Sequence, residues 1–420
     1  MDREGLEVAD HGAVTAQARA WLGENRDPSL AADAWLAKVV DAGWSAPSWP
    51  QQWYGRGVSP EAARLVDEEF KAFGSGGYGQ DVTNLWANTV LAFGQDELKA
   101  KVLRPLLLQQ LEMCLLYSEP GAGSDLASVQ TRAERDGDEW IVNGQKVWTS
   151  GGRQAEYALL ITRTDLDQPK HRGITFFFFP MRQPGVEVRP IRQATGDSRF
   201  NEVFITDARV PDVNRLGELN AGWWVLQTAL MYERMMMGSS QRRPPNPSRP
   251  GSSPAAATAA RDPTSERSAP VPDLELVALA RARGRNLDPL VRQDLAGLHC
   301  LRMVNEWNGR RAKAAMEQGS STPVASLGKL AMSGLLHRAG RLQVSLLGPE
   351  GTLAGDAWPE AADATYAMLN AYFTSIGGGT DQIQRNIIGE RILGLPKEPE
   401  VDKHLPFRQV PKSVPSRSVR

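Results

Sequence analysis

"YSEPGAGSDLAS", residues 117–128, closes a short apolar run and turns into a polar loop with two glycines. The run before it, "CLLYS", reads as a buried strand beginning at Cys114. Within the loop, Ser118 and Ser124 offer hydroxyls, and Gly121 and Gly123 let backbone N–H groups come close to a ligand. Glycines alone suit an ordinary turn equally well. Downstream lies "NGQKVWTSGG", residues 143–152, with Trp148 and Ser150 two apart. In a strand these side chains share a face, so an indole could lie along a flat ring system while the hydroxyl bonds to it. A half-buried Trp in a hairpin is the plainer alternative.

Outward from this pair, the chain keeps a strand character for about 100 residues. "TRAERDGDEWIVNGQKVWTS" carries turn signals at Asp136-Gly137 and Asn143-Gly144. "YALLITRT", "GITFFFFPM", "VEVRPI" and "NEVFITDARV" follow as further strands. The run Phe176 to Phe179 suits a strand buried on both faces. Before this block, "AWLAKVVDAGW" and "AARLVDEEFKAF" show the three- and four-residue spacing of helices. After it, "GWWVLQTALMYERMMMG", "LELVALARARGR", "LAGLHCLRMVNEWNGRRAKAAMEQ" and "SLGKLAMSGLLHRAGRLQVSLLG" do the same. Residues 239–273 are rich in Pro, Ser, Ala and Arg with few large apolar residues, the composition of a disordered insertion. The expected order is an N-terminal helical domain over 1–114, a middle β domain over 115–215 and a C-terminal helical domain over 216–395. A polar, Pro-bearing tail over 396–420 is expected to be extended.

The totals fit this division. At 420 residues the chain is long for one domain, and 41% hydrophobic with 23% charged residues can build a full core. A net charge of -1 gives no reason to expect nucleic acid or an anionic membrane as partner. Cys114 and Cys300 lie far apart and the five histidines lack ligand spacing, so no metal site is expected. With no apolar run long enough to span a membrane and no basic-then-apolar start, the expected location is the cytoplasm.

The closing stretch "SIGGGTDQIQRNIIGERILGLP", residues 375–396, runs from three glycines into a helix. Thr380 and Asp381 supply capping chemistry, and Ile383, Ile387, Ile388 and Ile392 form its apolar stripe. Together with "YSEPGAGSD", "GQKVWTSGG" and "NEVFITDARVP", in this order and over nearly the whole chain, it resembles the acyl-CoA dehydrogenase family. The resemblance implies an α+β multidomain fold of N-terminal helices, a β-barrel-like middle domain and a C-terminal four-helix bundle. It also implies FAD, an acyl-CoA substrate from fatty acid breakdown, an electron-transfer flavoprotein as acceptor and a homotetramer, with a mixed tetramer or dimer as alternatives.

Residue by residue, the resemblance places Ser118, Ser124, Trp148, Thr149, Ser150, Thr380 and Gln382 at cofactor contacts. Ser124 also matches a substrate contact. Gly378 and Gly379 bring backbone N–H groups to the thioester oxygen. Ser345 and Gly348 of "SLLGPEG" stand where the family holds the neighbouring subunit's FAD, although Ser345 and Pro349 depart from the usual Gln and Gly. Arg281 and Arg283 of "ARARGRN" are stand-ins for a family Arg-x-x-x-Gly run.

Removing an α proton from a thioester requires a carboxylate. Many members carry it as a Glu at the position of Gly378. Here the residue is glycine, but "LMYERMMMG" supplies the Glu-Arg pair of the isovaleryl- and long-chain branches, as Glu233 and Arg234. Those two are the only charges between Gly222 and Gly238, and Leu226, Leu230, Glu233 and Met237 share a helical face. A carboxylate on such a stripe faces a cavity or is costly to bury. Glu233 is therefore the expected base, with Arg234 shaping the pocket beside it. A structural ion pair is the competing reading. At the level of the whole protein, the alternatives are a catalytically weak partner subunit and an acyl-CoA oxidase that uses O2.

Overall fold

The computed structural model describes residues 11–27, 29–238, 273–317, 325–353, 355 and 357–411. The stretch 239–272, which holds nearly all of the expected disordered insertion, lies outside the described residues. The chain divides into two compact units, one of residues 1–191, 199–261 and 402–420, the other of 192–198 and 262–401.

The first unit opens with six helices: α1 (His11–Asn25), α2 (Ala32–Asp41), α3 (Pro60–Ala72), α4 (Gln80–Thr83), α5 (Leu85–Phe93) and α6 (Asp96–Leu107). Local chemistry sets their starts. The Ser59 side chain accepts from Ala62 N with Pro60 at the first helical position, and Asn84 caps α5 through Ala87 N. Val14, Ala18 and Leu22 of α1 cluster with Val66 and Phe70 of α3 and with Trp44.

Eight strands follow: β1 (Met113–Leu116), β2 (Arg132–Asp136), β3 (Glu139–Ser150), β4 (Tyr157–Arg163), β5 (Ile174–Pro180), β6 (Val186–Pro190), β7 (Phe200–Pro211) and β8 (Arg215–Leu216). They form one sheet in the order β6-β7-β3-β2-β4-β5-β8, with β1 parallel to β4. All four phenylalanines of β5 are fully buried because the strand divides two cores. Phe176 and Phe178 join Val90, Leu103, Leu159 and Ile161 on the helix side, whereas Phe177 and Phe179 join Leu160, Trp140 and Val203 on the other. Each such ring contributes roughly 1.5–3 kcal/mol by leaving water.

Asn143-Gly144 is not a hairpin turn. β3 runs through it and its register with β7 shifts between Val142 and Gly144. The flat passage is required because a Cβ on Gly144 would stand 2.4 Å from Thr131 Oγ1. The adjoining Asn143 exchanges hydrogen bonds with Asp207. The extra residue lies on β7, where Thr206 and Asp207 stand opposite Asn143 and Asp207 takes a φ of +50°.

Helix α7 (Gly222–Gly238) completes the first unit, with Val225 and Leu226 buried in the helix-side core. The tail also differs from expectation. Residues 402–410 dock on this unit, with Phe407 2% and Val410 7% exposed, instead of extending into solvent. Two apolar anchors three residues apart are too few to show a period.

The second unit comprises α8 (Asp273–Ala282), α9 (Pro289–Glu317), α10 (Ala325–Leu347), α11 (Pro359–Ile376) and α12 (Asp381–Ile387). Leu276, Ala280, Val291, Leu298, Leu342 and Leu346 form its core where α8, α9 and α10 meet. Beyond α12 the helix loosens into a π turn over Ile388–Ile392, so the isoleucine stripe is not one regular face and Ile392 is exposed. Among the described residues no helix is long and apolar enough to cross a membrane.

Candidate active site

Strand β1 delivers Tyr117 and Ser118 into the glycine-rich loop. Glu119 and Ala122 exchange backbone hydrogen bonds, closing the turn over Pro120 and Gly121. The Glu119 carboxylate then accepts from Gln130 N at 2.7 Å, Thr131 N at 2.9 Å and Lys146 Nζ at 2.8 Å. Lys146 is wholly buried and also donates to Tyr117 O at 3.1 Å. Burial works against the Glu119 anion, but Lys146 and the hydrogen bonds outweigh it and hold its pKa below the usual carboxylate range. Val147 N donates to Ser118 O at 2.9 Å, so the loop and the end of β3 are bolted together. Sequence reading passed over Glu119 and Lys146. They are 27 residues apart, and the only signal was two opposite charges inside otherwise uncharged strand ends.

At that end β3 itself bulges. Lys146 pairs with Val203 and Thr149 with Asn201, leaving one extra residue on β3, and Trp148 takes a φ of +63°. The bulge turns the Trp148 indole outward, 59% exposed, edge-on to Phe200 at 6.1 Å. Ser150 is exposed on the same side, while Thr149 is buried between them with its hydroxyl unpartnered among the described residues. Ser118 is half-buried and Ser124 is exposed. An exposed indole at a strained φ, flanked by hydroxyls and backed by a locked loop, fits the face of a flavin.

On α7, Leu226 is buried, Leu230 packs on the helix-side core and Glu233 is half-buried one turn further along. Tyr117 belongs to the same core, its ring 5.7 Å from Phe176. Burial first, and then the negative charge of Glu233, push the Tyr117 hydroxyl well above its ordinary pKa. The carboxylate thus lies within electrostatic reach of the residue directly preceding Ser118. The side chains of Arg234 and Met237 lie outside the described residues.

In the second unit, Gly378 and Gly379 have φ of +65° and +88°. A side chain at Gly378 would occupy the left-handed region, which disfavours a Glu there. Thr380 caps α12 by accepting from Ile383 N at 3.2 Å. Gln384, buried and not anticipated, donates to Gly378 O at 3.2 Å, whereas Gln382 is exposed. Asp381 accepts from Ser333 Oγ at 2.8 Å and from Lys329 Nζ at 3.2 Å. Ser333 also bonds Ser375 at 2.8 Å, so the glycine turn is braced from both sides.

Ser345 is exposed at the end of α10 and its carbonyl accepts from Arg285 at 2.9 Å, while Gly348, at φ +60°, ends the helix. Arg283 pairs with Glu350 at 2.6 Å and with Glu360. Arg281 instead lines a cavity of about 360 Å³ with Arg292, Asn286 and Gln293.

Three family models match in chain order: the acyl-CoA dehydrogenase N-terminal domain over residues 11–109, the middle domain over 114–208 and the C-terminal domain over 274–393. Among curated relatives, acyl-CoA dehydrogenase IpdE1 of Mycobacterium tuberculosis is 33% identical over 409 residues, covering 91% of this chain and 97% of its own. Acyl-CoA dehydrogenase FadE34 of the same organism is 34% identical and covers 94% of this chain, which spans 50% of that relative's length. Two solved structures are also similar. "Tcur3481-Tcur3483 steroid ACAD" has 26% identity and a TM-score of 0.66, with 95% of this chain and 100% of that chain covered. The ChsE4-ChsE5 complex from Mycobacterium tuberculosis has 27% identity, a TM-score of 0.62 and the same coverage. The chain belongs to the acyl-CoA dehydrogenase family, with its helical, sheet and helical domains in the family order. Its class is that of an FAD-dependent oxidoreductase acting on acyl-CoA.

Proposed function

We propose that the protein oxidises an acyl-CoA thioester to the trans-2-enoyl-CoA, with Glu233 as the base that removes the α proton. The observation that carries this reading is the placement of Glu233. It stands on the α7 face that packs on the helix-side core, and its charge reaches Tyr117, next to Ser118. The φ of Gly378 supports it from the other direction, since that position suits glycine better than a carboxylate-bearing residue. FAD, when bound, supplies the acceptor for the β hydrogen as hydride.

Trp148 and Ser150 would hold the ring system, joined by Ser118, Ser124 and the Thr149 backbone. In the second unit, Thr380 and Gln382 would be cofactor contacts. Ser345 and Gly348 would serve a neighbouring subunit's cofactor. Gly378 and Gly379 of the second unit would offer N–H groups to a thioester oxygen, and Ser124 and Arg234 of the first unit would be substrate contacts. An electron-transfer flavoprotein would take up the electrons from a homotetramer. A bulky acyl group is favoured, a reading supported by the similarity of this chain to a solved steroid ACAD. Glu233→Gln is the test. The variant should retain FAD but lose flavin bleaching by acyl-CoA by at least about 10³-fold, and full turnover would end the assignment.

A second reading has this chain as one subunit of a mixed assembly. It is supported by the solved ChsE4-ChsE5 complex and by the chain spanning only half of FadE34. Under that reading the chain purified alone shows no bleaching, and activity appears when a second, different subunit is added.

A further inference from the structure

Residues 164–173, between β4 and β5, meet three other segments of the first unit. Lys170 Nζ lies 3.0 Å from an Asp125 oxygen and 3.2 Å from an Asp402 oxygen. Asp125 directly follows Ser124, and the same oxygen accepts from Ser128 Oγ at 2.6 Å. Arg163, 2% exposed, donates to Ala127 O at 2.6 Å and to Lys170 O at 2.8 Å, and its guanidinium lies 3.8 Å from the Phe407 ring. The tail's backbone closes the arrangement, Phe407 N donating to Gln168 O at 2.9 Å and Arg408 N to Leu166 O at 3.0 Å. His171 meets Trp223 of α7 edge-on at 4.7 Å.

The loop from Pro120 to Asp125 contains two glycines and no regular element, so holding one conformation costs roughly 1–2 kcal/mol per residue in backbone entropy. Its near end is fixed through Glu119 and its far end through Arg163. Ser124 lies between these anchors, and its neighbour Asp125 is tied down by Lys170. One ammonium thus serves two carboxylates from distant parts of the chain. Without it, Asp125 and Asp402 would repel each other and part the loop from the tail.

We propose that Lys170, braced by Asp402 of the C-terminal segment, is a positioning residue that holds the Ser124 loop in place for the CoA thioester. The proposal rests on the reading of Ser124 as a substrate contact. It assigns a function to residues 402–408, which carry no group of the reaction. Lys170 acts through the loop, so its loss affects binding more than the chemical step.

The test uses the FAD-loaded full chain and acetyl-CoA, which has no β carbon to oxidise and so reports binding alone. Calorimetry gives its Kd, and turnover with an acyl-CoA that bleaches the flavin gives KM and kcat. Lys170→Met should raise Kd and KM about ten-fold with kcat within about two-fold. Asp402→Asn, a near-isosteric change at a side chain 24% exposed, should move both in the same direction by about three-fold, and Lys170→Arg should restore most of the loss. Unchanged Kd in Lys170→Met and Asp402→Asn, with Ser124→Ala weakened, overturns the clamp and leaves the Ser124 contact standing. Unchanged Kd in Ser124→Ala removes the contact, and the clamp with it.

Discussion

Lys146 Nζ and Glu119 Oε1 meet at 2.8 Å with both side chains out of solvent, the lysine completely. The pair joins the start of the glycine-rich loop to the strand that presents Trp148. Lys146→Met would leave a buried carboxylate with only two backbone donors. A loss of about 3–5 kcal/mol is expected, because the remaining charge is uncompensated. Thermal unfolding should show it, and adding Glu119→Gln to Lys146→Met should recover part of the loss.

Glu119 also sets an acid limit. Its folded pKa is lowered, so its contribution is complete above the ordinary Glu value of about 4.3 and is lost as pH falls through the lowered folded value. Stability measured by denaturant titration should decline below about pH 4, and Glu119→Gln should flatten that decline. A variant that keeps the full acid slope would show that other carboxylates dominate.

Asp67 works in the opposite direction. Burial and then the charge of Asp81 push its pKa up to about 8, and one of its oxygens has no hydrogen-bond partner among the described residues. A raised carboxyl pKa gives stability that is present below the unfolded value and lost as pH rises through the folded one. Asp67→Asn should therefore raise the melting temperature at pH 9 relative to the parent and change it little at pH 5. An equal gain at both pH values would assign the effect to packing.

Thr380 closes the first turn of α12 with one side-chain hydrogen bond. Thr380→Ala should cost about 1 kcal/mol, and Thr380→Ser much less. If Thr380 also contacts the cofactor, FAD affinity should fall further than the loss of stability explains. Flavin release during dialysis, compared with the melting temperature of the apoprotein, separates the two effects.

Much of the sheet could be read from residue order, since Phe176 to Phe179 announce burial on both faces wherever the strand lies. Thr380 was visible for a similar reason, because capping is local. What escaped was non-local or needed one conformation out of several. Asn143-Gly144 has the composition of a turn and runs on as strand opposite a bulge in β7. Lys146 reaches a carboxylate 27 positions away. Phe407 reaches Arg163 from beyond the second unit's sequence, without any shared period. Gln384, which donates to the glycine turn, carries no local signal that marks it out in the sequence.

The seating of Phe407 against Arg163 constrains how the molecule is made. The first unit gains one of its interior residues only when the ribosome has passed position 407, after all of the second unit's helices have been synthesised. Until then the nascent sheet carries an open notch beside Arg163, and the first unit cannot finish folding as an independent early product.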